Sequence, residues 1–262
     1  MEWWTAVILG IVEGLTEFLP VSSTGHLIVT GHLLGFTGEM AASFEIAIQL
    51  GAILAVMFYY RKRLLAVITT FPKDEKSHML IIALGCAFLP AAIIGLATHS
   101  YITEYLFNPK TVAGALIIGG ITILVIERTR PQFRIHDISE LRIRDAILIG
   151  FAQCLALFPG VSRSGATIMG GLMIGLDRKT ATEFSFLLAL PTMLAATGYQ
   201  MVKSQELLFA ENIVSLGIGM VVAFFTALAV IDAFLKYITT KTFVPFAYYR
   251  IAFGTAVLYL FW

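Results

Sequence analysis

The chain has 262 residues, of which 58% are hydrophobic and 13% charged, with a net charge of +1. A soluble domain carries about 25% charged residues, so this chain has too few to cover a water-facing surface, and its exterior faces lipid. So small a net charge offers no field that would gather nucleic acid, and the two cysteines, Cys86 and Cys154, sit in apolar runs as small hydrophobic residues rather than as a disulfide or metal pair.

From the N-terminus, Met1 to Thr5 has no basic segment, and the apolar stretch that follows contains Glu13 and Glu17. It reads as a retained part of the chain rather than a cleaved signal. A transmembrane helix needs about 20 mostly apolar residues. Residues 4–36 are apolar for long enough, but are broken at Leu19-Pro20-Val21-Ser22-Ser23-Thr24-Gly25. Three candidate spans follow, at 41–60, 79–98 and 111–127, separated by the basic loops 61–78 and 128–144. Residues 145–176 repeat the broken pattern, interrupted at Phe158-Pro159-Gly160-Val161-Ser162-Arg163-Ser164-Gly165. Three more spans close the chain, at 183–202, 213–235 and 243–262. Each half of a broken segment is too short to cross, which predicts two re-entrant helical hairpins that enter and leave on one side.

Basic residues support that topology, because cytoplasmic loops collect Lys and Arg. With both termini outside, 14 of the 18 fall inside, including Arg61, Lys62, Arg63, Arg128, Arg130, Arg134, Arg142, Arg144, Arg178 and Lys179. Only Lys110 and Lys203 fall outside, with Arg163 and Arg250 within membrane segments.

The two halves align at a constant offset of 140 residues without a gap. Gly10, Phe18, Val21, Ser22, Gly25, Gly31 and Gly35 meet Gly150, Phe158, Val161, Ser162, Gly165, Gly171 and Gly175, within 14 identities over the 46 positions from 10 to 55. The repeats cover about 1–127 and 141–262 of one membrane domain. Each holds one hairpin and three spans, an odd number, so the second inserts upside down. The prediction is an all-α inverted-topology repeat whose broken-helix tips meet near the midplane.

The tips carry polar residues that are costly in a membrane and are functional candidates for that reason. Glu13 and Glu17 are four apart and share a helix face. Ser22, Ser23 and Thr24 follow a helix-ending proline, and Ser22 is expected to cap the next helix, like its counterpart Ser162. Ser23 stands opposite Arg163 in the repeat, which suggests a division of chemical labour. Arg163 opens a helix among Ser162, Ser164 and Thr167, where free N–H groups, the helix dipole and a guanidinium fork suit phosphate. Arg163 also has the reading of an ion pair to Glu13 or Glu17 that joins the halves and opens for substrate. His26, one turn from Ser23, is placed to shuttle a proton. A hydroxyl, two acids, an imidazole and an arginine are the parts phosphoryl transfer needs. The carboxylates serve equally as base or as ligands to a divalent cation. The rival class is transport, since inverted repeats with broken helices also bind and move lipid phosphates.

Glu13-Gly-Leu-Thr-Glu17-Phe-Leu-Pro-Val-Ser-Ser-Thr-Gly-His26 and Pro159-Gly-Val-Ser-Arg163-Ser-Gly-Ala-Thr167 resemble the two signature motifs of the bacterial undecaprenyl-pyrophosphate phosphatase family, associated with bacitracin resistance. The resemblance extends to Gln49-Leu-Gly51, Glu183-Phe-Ser-Phe186 and Pro245-Phe-Ala-Tyr-Tyr-Arg250. It implies removal of the terminal phosphate from a polyprenyl pyrophosphate in the plasma membrane, a divalent cation such as Mg²⁺ or Ca²⁺, and a site open to the outer face. Carried onto matching positions, Ser23 is the nucleophile and Arg163 the phosphate clamp. Glu17 and Glu13 activate the nucleophile or bind metal, and His26 assists proton transfer. Ser162 and Thr167 complete the phosphate cradle, with Ser164, Ser22 and Thr24 beside them. The substrate's long chain is expected to need a lateral path between helices. Gly114 and Gly119-Gly120 mark either close packing or that path.

Overall fold

The computed structural model describes residues 2–71, 73–106, 108–129, 132–203 and 213–261. Of the residues used above, Met1, Arg130 and Trp262 lie outside this set, and the side chain of Lys203 is likewise not described. The described residues are helical apart from turns and one isolated bridge between Ile135 and Leu176.

Helix α1 (Trp3–Thr16) and helix α2 (Ser23–Leu33) form the first broken segment. Helices α3 (Glu39–Tyr59), α4 (Arg61–Thr70), α5 (Glu75–Tyr101) and α6 (Pro109–Arg128) follow. Helix α7 (Ile143–Cys154), a 3₁₀ turn (Leu155–Leu157) and helix α8 (Arg163–Met173) form the second broken segment. Helices α9 (Arg178–Lys203), α10 (Ile213–Ile238) and α11 (Val244–Phe261) complete the chain. Five helices (α5, α6, α9, α10 and α11) are by themselves long and apolar enough to cross a membrane. A sixth candidate is α3 taken with α4, which meet at a 69° bend. At 1.5 Å per residue α2 and α8 are only about 16 Å long, roughly half a bilayer core. The molecule is a multi-pass membrane protein.

One stretch differs from the sequence reading. The loop expected at 61–78 contains α4 and the first turn of α5. Arg61, Lys62 and Arg63 sit at the head of α4, no residue of α4 is buried, and Leu65 and Ile68 are exposed. A short helix with a basic head and an open apolar side fits the headgroup boundary better than a solvated loop does. Asp74 then caps α5, its carboxylate accepting from the Ser77 N–H at 2.9 Å and the Ser77 hydroxyl at 2.8 Å. Those bonds hold the Asp74 carboxyl below its ordinary range.

Helix α1 packs on α10, and α7 packs on α5, while α6 pairs with α11 and α3 with α9. Glycine allows the first two contacts. A Cβ on Gly10 would stand 2.6 Å from the Gly219 carbonyl of α10, and a Cβ on Gly150 would stand 2.6 Å from the Ala87 carbonyl of α5. The main core lies between α3, α5, α7, α8, α9 and α10, with Phe18, Phe184, Phe186 and Phe234 at its centre.

Both helix breaks have the same backbone form. Ser22 has φ 71° and Ser162 φ 76°, and among the described residues they alone adopt positive φ without being glycine. For an L-residue this region is disfavoured by about 1–2 kcal/mol, and such strain gathers at functional sites. The helices that follow each have 11 residues. Each closes with a main-chain bond back over a positive-φ glycine, Phe36 N–H to Gly31 carbonyl and Leu176 N–H to Gly171 carbonyl.

Candidate active site

A break inside a membrane leaves carbonyls with no intrahelical partner, and these must be satisfied within the protein. Arg250 of α11 does this for both tips. Its guanidinium donates to the carbonyls of Pro20 in the first tip (3.1 Å) and Gly160 and Val161 in the second (3.0 and 2.9 Å). It also donates to the Ala115 and Leu116 carbonyls of α6, at 3.1 and 3.3 Å. The side chain is 1% exposed and no carboxylate faces it among the described residues. Five carbonyl dipoles solvate its charge instead. Ser164 adds a second tie, donating to the Leu19 carbonyl at 2.8 Å.

Between the joined tips lies a cavity of about 240 Å³. Its polar wall is made by Glu17, Ser22, Ser23, Thr24, Gln49, Ser162, Arg163 and Thr192. Ser23, at the first turn of α2, donates its hydroxyl to Glu17 Oε2 at 2.5 Å. Glu17 Oε1 receives Arg163 Nη2 at 3.0 Å. Arg163 Nη1 donates to the Ser185 carbonyl at 3.0 Å, and its guanidinium lies 5.7 Å from the Phe18 ring centroid. Its Nε is buried without a partner. A hydroxyl, a carboxylate and a guanidinium thus form one chain across the two tips, nearly free of water: the Glu17 and Arg163 side chains are 9% and 12% exposed. The ion pair expected between the halves exists, on Glu17 rather than Glu13.

The other expected residues stand behind this wall. Glu13 is fully buried, and neither carboxylate oxygen has a hydrogen-bond partner. His26 shares a turn with the serines but turns away. Its Nδ1 meets the Ser22 carbonyl at 2.7 Å, its Nε2 meets the Tyr249 hydroxyl at 2.6 Å, and its ring stacks on Phe253 at 4.2 Å. Thr167 bonds Ser185 Oγ at 2.6 Å and the Arg163 carbonyl at 2.9 Å, so it braces the clamp from below. The capping expectation holds for one serine and fails for the other. Ser162 Oγ accepts from the Gly165 N–H at 3.1 Å and is steadied by Ser164 Oγ at 3.1 Å. Ser22 makes no side-chain cap. Thr24 occupies the repeat position of Ser164, no bond pairs it with Ser22, and the Ser22 hydroxyl is left on the cavity wall.

Three residues to which the sequence reading gave no role belong to the site, Gln49 and Arg250 from the quoted resemblance and Glu45 from outside it. Gln49 lines the cavity from α3, and Glu45, one turn earlier, is near enough to act electrostatically on Glu13. Arg250 is the third. All three are polar side chains inside apolar spans, and that signal by itself was enough to find them.

A family model described as bacitracin resistance protein BacA matches residues 6–256. A protein named undecaprenyl-diphosphatase from Maridesulfovibrio salexigens is 52% identical over 262 residues, covering 99% of this chain and 98% of the relative. Proteins of the same name from Ectopseudomonas mendocina and Neisseria gonorrhoeae are 51% and 49% identical, covering 98% and 97% of this chain and 95% and 94% of theirs.

Proposed function

The chain belongs to the bacitracin resistance protein BacA family, and we propose from that membership and from the site that it hydrolyses undecaprenyl pyrophosphate to undecaprenyl phosphate and inorganic phosphate. The observation that carries the mechanism is the continuous Ser23–Glu17–Arg163 chain. Glu17 Oε2 takes the proton of Ser23 as its Oγ attacks the terminal phosphorus. The bridging P–O bond breaks and undecaprenyl phosphate leaves with the bridging oxygen. Glu17 gives up that proton to the departing phosphate, and the freed carboxylate then deprotonates a water that attacks the phosphoserine. The P–Oγ bond breaks, inorganic phosphate leaves and the proton returns from Glu17 to Ser23 Oγ. Arg163 moves from Glu17 onto the phosphoryl oxygens, with Ser22, Thr24 and Ser162 around them. This releases Glu17 from its ion pair when a base is needed. His26, with both ring nitrogens engaged, acts as a positioning residue through the Ser22 carbonyl. Thr167 and Ser164 position Arg163 and the tips in the same way. A pure transporter has no use for a serine held 2.5 Å from a carboxylate.

The carboxylates also fit a divalent cation. Glu13 offers two buried oxygens without partners, next to Glu17 on the same helix face. Among the described residues no three His, Cys, Asp or Glu side chains gather to hold a metal alone. The fit is to a cation held by one or two carboxylates and by the substrate's own phosphates, as Mg²⁺ commonly is. When bound it would draw charge from the phosphate oxygens in the transition state.

The topology we infer is an inverted repeat in the bacterial plasma membrane, with re-entrant hairpins, termini outside and the site open to the outer face. The basic loops, the equal positive-φ turns at Ser22 and Ser162, and the exchanged packing of α1 on α10 and α7 on α5 support it. The test of function is phosphate release from undecaprenyl pyrophosphate by purified protein in detergent, where no leaflets exist to flip between. Release that stops with chelator supports the hydrolase. Binding without release returns the reading to the transporter.

A further inference from the structure

The sequence left open whether the glycines of α6 serve packing or a lipid path, and their surroundings separate the two. A Cβ on Gly120 would lie 2.7 Å from the Ala247 carbonyl of α11, and one on Gly119 would collide with the Arg250 guanidinium. Those two glycines serve packing. A Cβ on Gly114 would meet nothing within 4 Å. Gly114, open on this side, borders a second cavity of about 420 Å³ between α6, α8 and the end of α7, which Gly119 and Arg250 also line.

This cavity is mostly apolar and open along one side, where Ile118 and Met173 are exposed. It follows α6 from Thr111 to Ile126, roughly 22 Å at 1.5 Å per residue. Its bed is Gly114, Ala115 and Met169, and its rims are Ile118 and Met173, which are 67% and 70% exposed. At one end it reaches Phe158, whose ring also lines the cavity between the tips. Phe158 thus borders both a polar pocket of phosphate size and an apolar trough.

We propose that this groove holds the isoprenoid chain of the substrate, with Phe158 at the junction between pyrophosphate and tail. The inference rests on the phosphatase reading and adds the place where chain length is read. A pyrophosphate anchored on Arg163 fixes the first isoprene units beside Phe158. Apolar chain laid in a preformed trough excludes lipid from it, and each buried methylene adds affinity. Short-chain pyrophosphates fill only the junction and gain little from the rest.

The experiment uses the full-length protein in detergent and measures kcat/KM for phosphate release from undecaprenyl and farnesyl pyrophosphates. Gly114→Leu sends a side chain into the groove from a position where a Cβ meets nothing within 4 Å. Gly85→Leu, at an equally open position on α5, is the control. Ile118→Trp obstructs the groove from its exposed rim and guards against misfolding of the first variant. Both groove variants are expected to lower kcat/KM for the undecaprenyl substrate about tenfold while farnesyl turnover stays within about twofold. Gly85→Leu leaves both values at the wild-type level. Equal losses on both substrates in both groove variants, or no loss on either, would overturn the assignment. Wild type that turns over neither substrate sinks the phosphatase reading itself, and the groove with it.

Discussion

The two hairpin tips share a backbone and share almost none of their chemistry. Both turn at a serine of positive φ, both continue into an 11-residue helix, and Arg250 binds carbonyls of both. Yet Ser23 and Glu17 of the first tip stand where the second has Arg163 and Leu157. Glu13, with both oxygens unpartnered, stands where the second has Gln153. Gln153 is satisfied at both ends, donating to the Ala87 carbonyl at 3.4 Å and accepting from Thr192 at 3.2 Å. Among the described residues the second tip leaves one buried side-chain atom without a partner, Arg163 Nε, while the first leaves both Glu13 oxygens unpartnered behind the cavity and an uncapped Ser22 on its wall. In the mechanism proposed above, two tips of matching backbone form divide the reaction, with nucleophile and base on one and the phosphate clamp on the other.

That comparison can be broken in stages. Glu17→Gln removes the carboxylate that accepts from the Ser23 hydroxyl, and turnover should fall about a thousandfold, with a changed pH–rate profile and cation requirement. An unaltered profile would take Glu17 out of the chemistry. Arg163→Lys keeps the charge but loses the fork, and phosphate release should drop about a hundredfold. Near-normal release would mean the second tip does not clamp. Arg250→Gln strips bonds from both tips at once and should lower stability by about 3 kcal/mol or more, read as a fall in the thermal midpoint in detergent. An unchanged midpoint would show that the tips hold each other without it. The smallest effect separates the serines: Ser162→Ala should cost about 1 kcal/mol as a lost helix cap, and Ser22→Ala close to nothing. Equal costs would erase that difference between the tips.

Much of this was legible in the sequence because membranes restrict what a chain can do. The six apolar stretches became α3, α5, α6, α9, α10 and α11, and the breaks fell at the Pro-Ser runs. The 140-residue offset held to the residue, with α2 and α8 starting at Ser23 and Arg163. Helix α4 does not stand out in the sequence because its basic head resembles a solvated loop. In the site, the motifs named every charged residue on the cavity wall. They could not say which polar residues face inward, because a helix of 11 residues turns some of each motif outward: His26 and Thr167 share motifs with Ser23 and Arg163 and point elsewhere. Gln49 and Arg250 stood in the resemblance without a role and Glu45 stood outside it, because each is an isolated polar residue in an apolar span whose partners lie far off in the chain.

The central claim is that one serine of a consecutive pair does the chemistry. Phosphate release from undecaprenyl pyrophosphate by Ser23→Ala, purified with an unchanged thermal midpoint, tests it most directly. The account predicts a loss of more than about a thousandfold, with Ser22→Ala retaining most of the activity. Turnover by Ser23→Ala near the wild-type rate, or equal losses in the two variants, would contradict it.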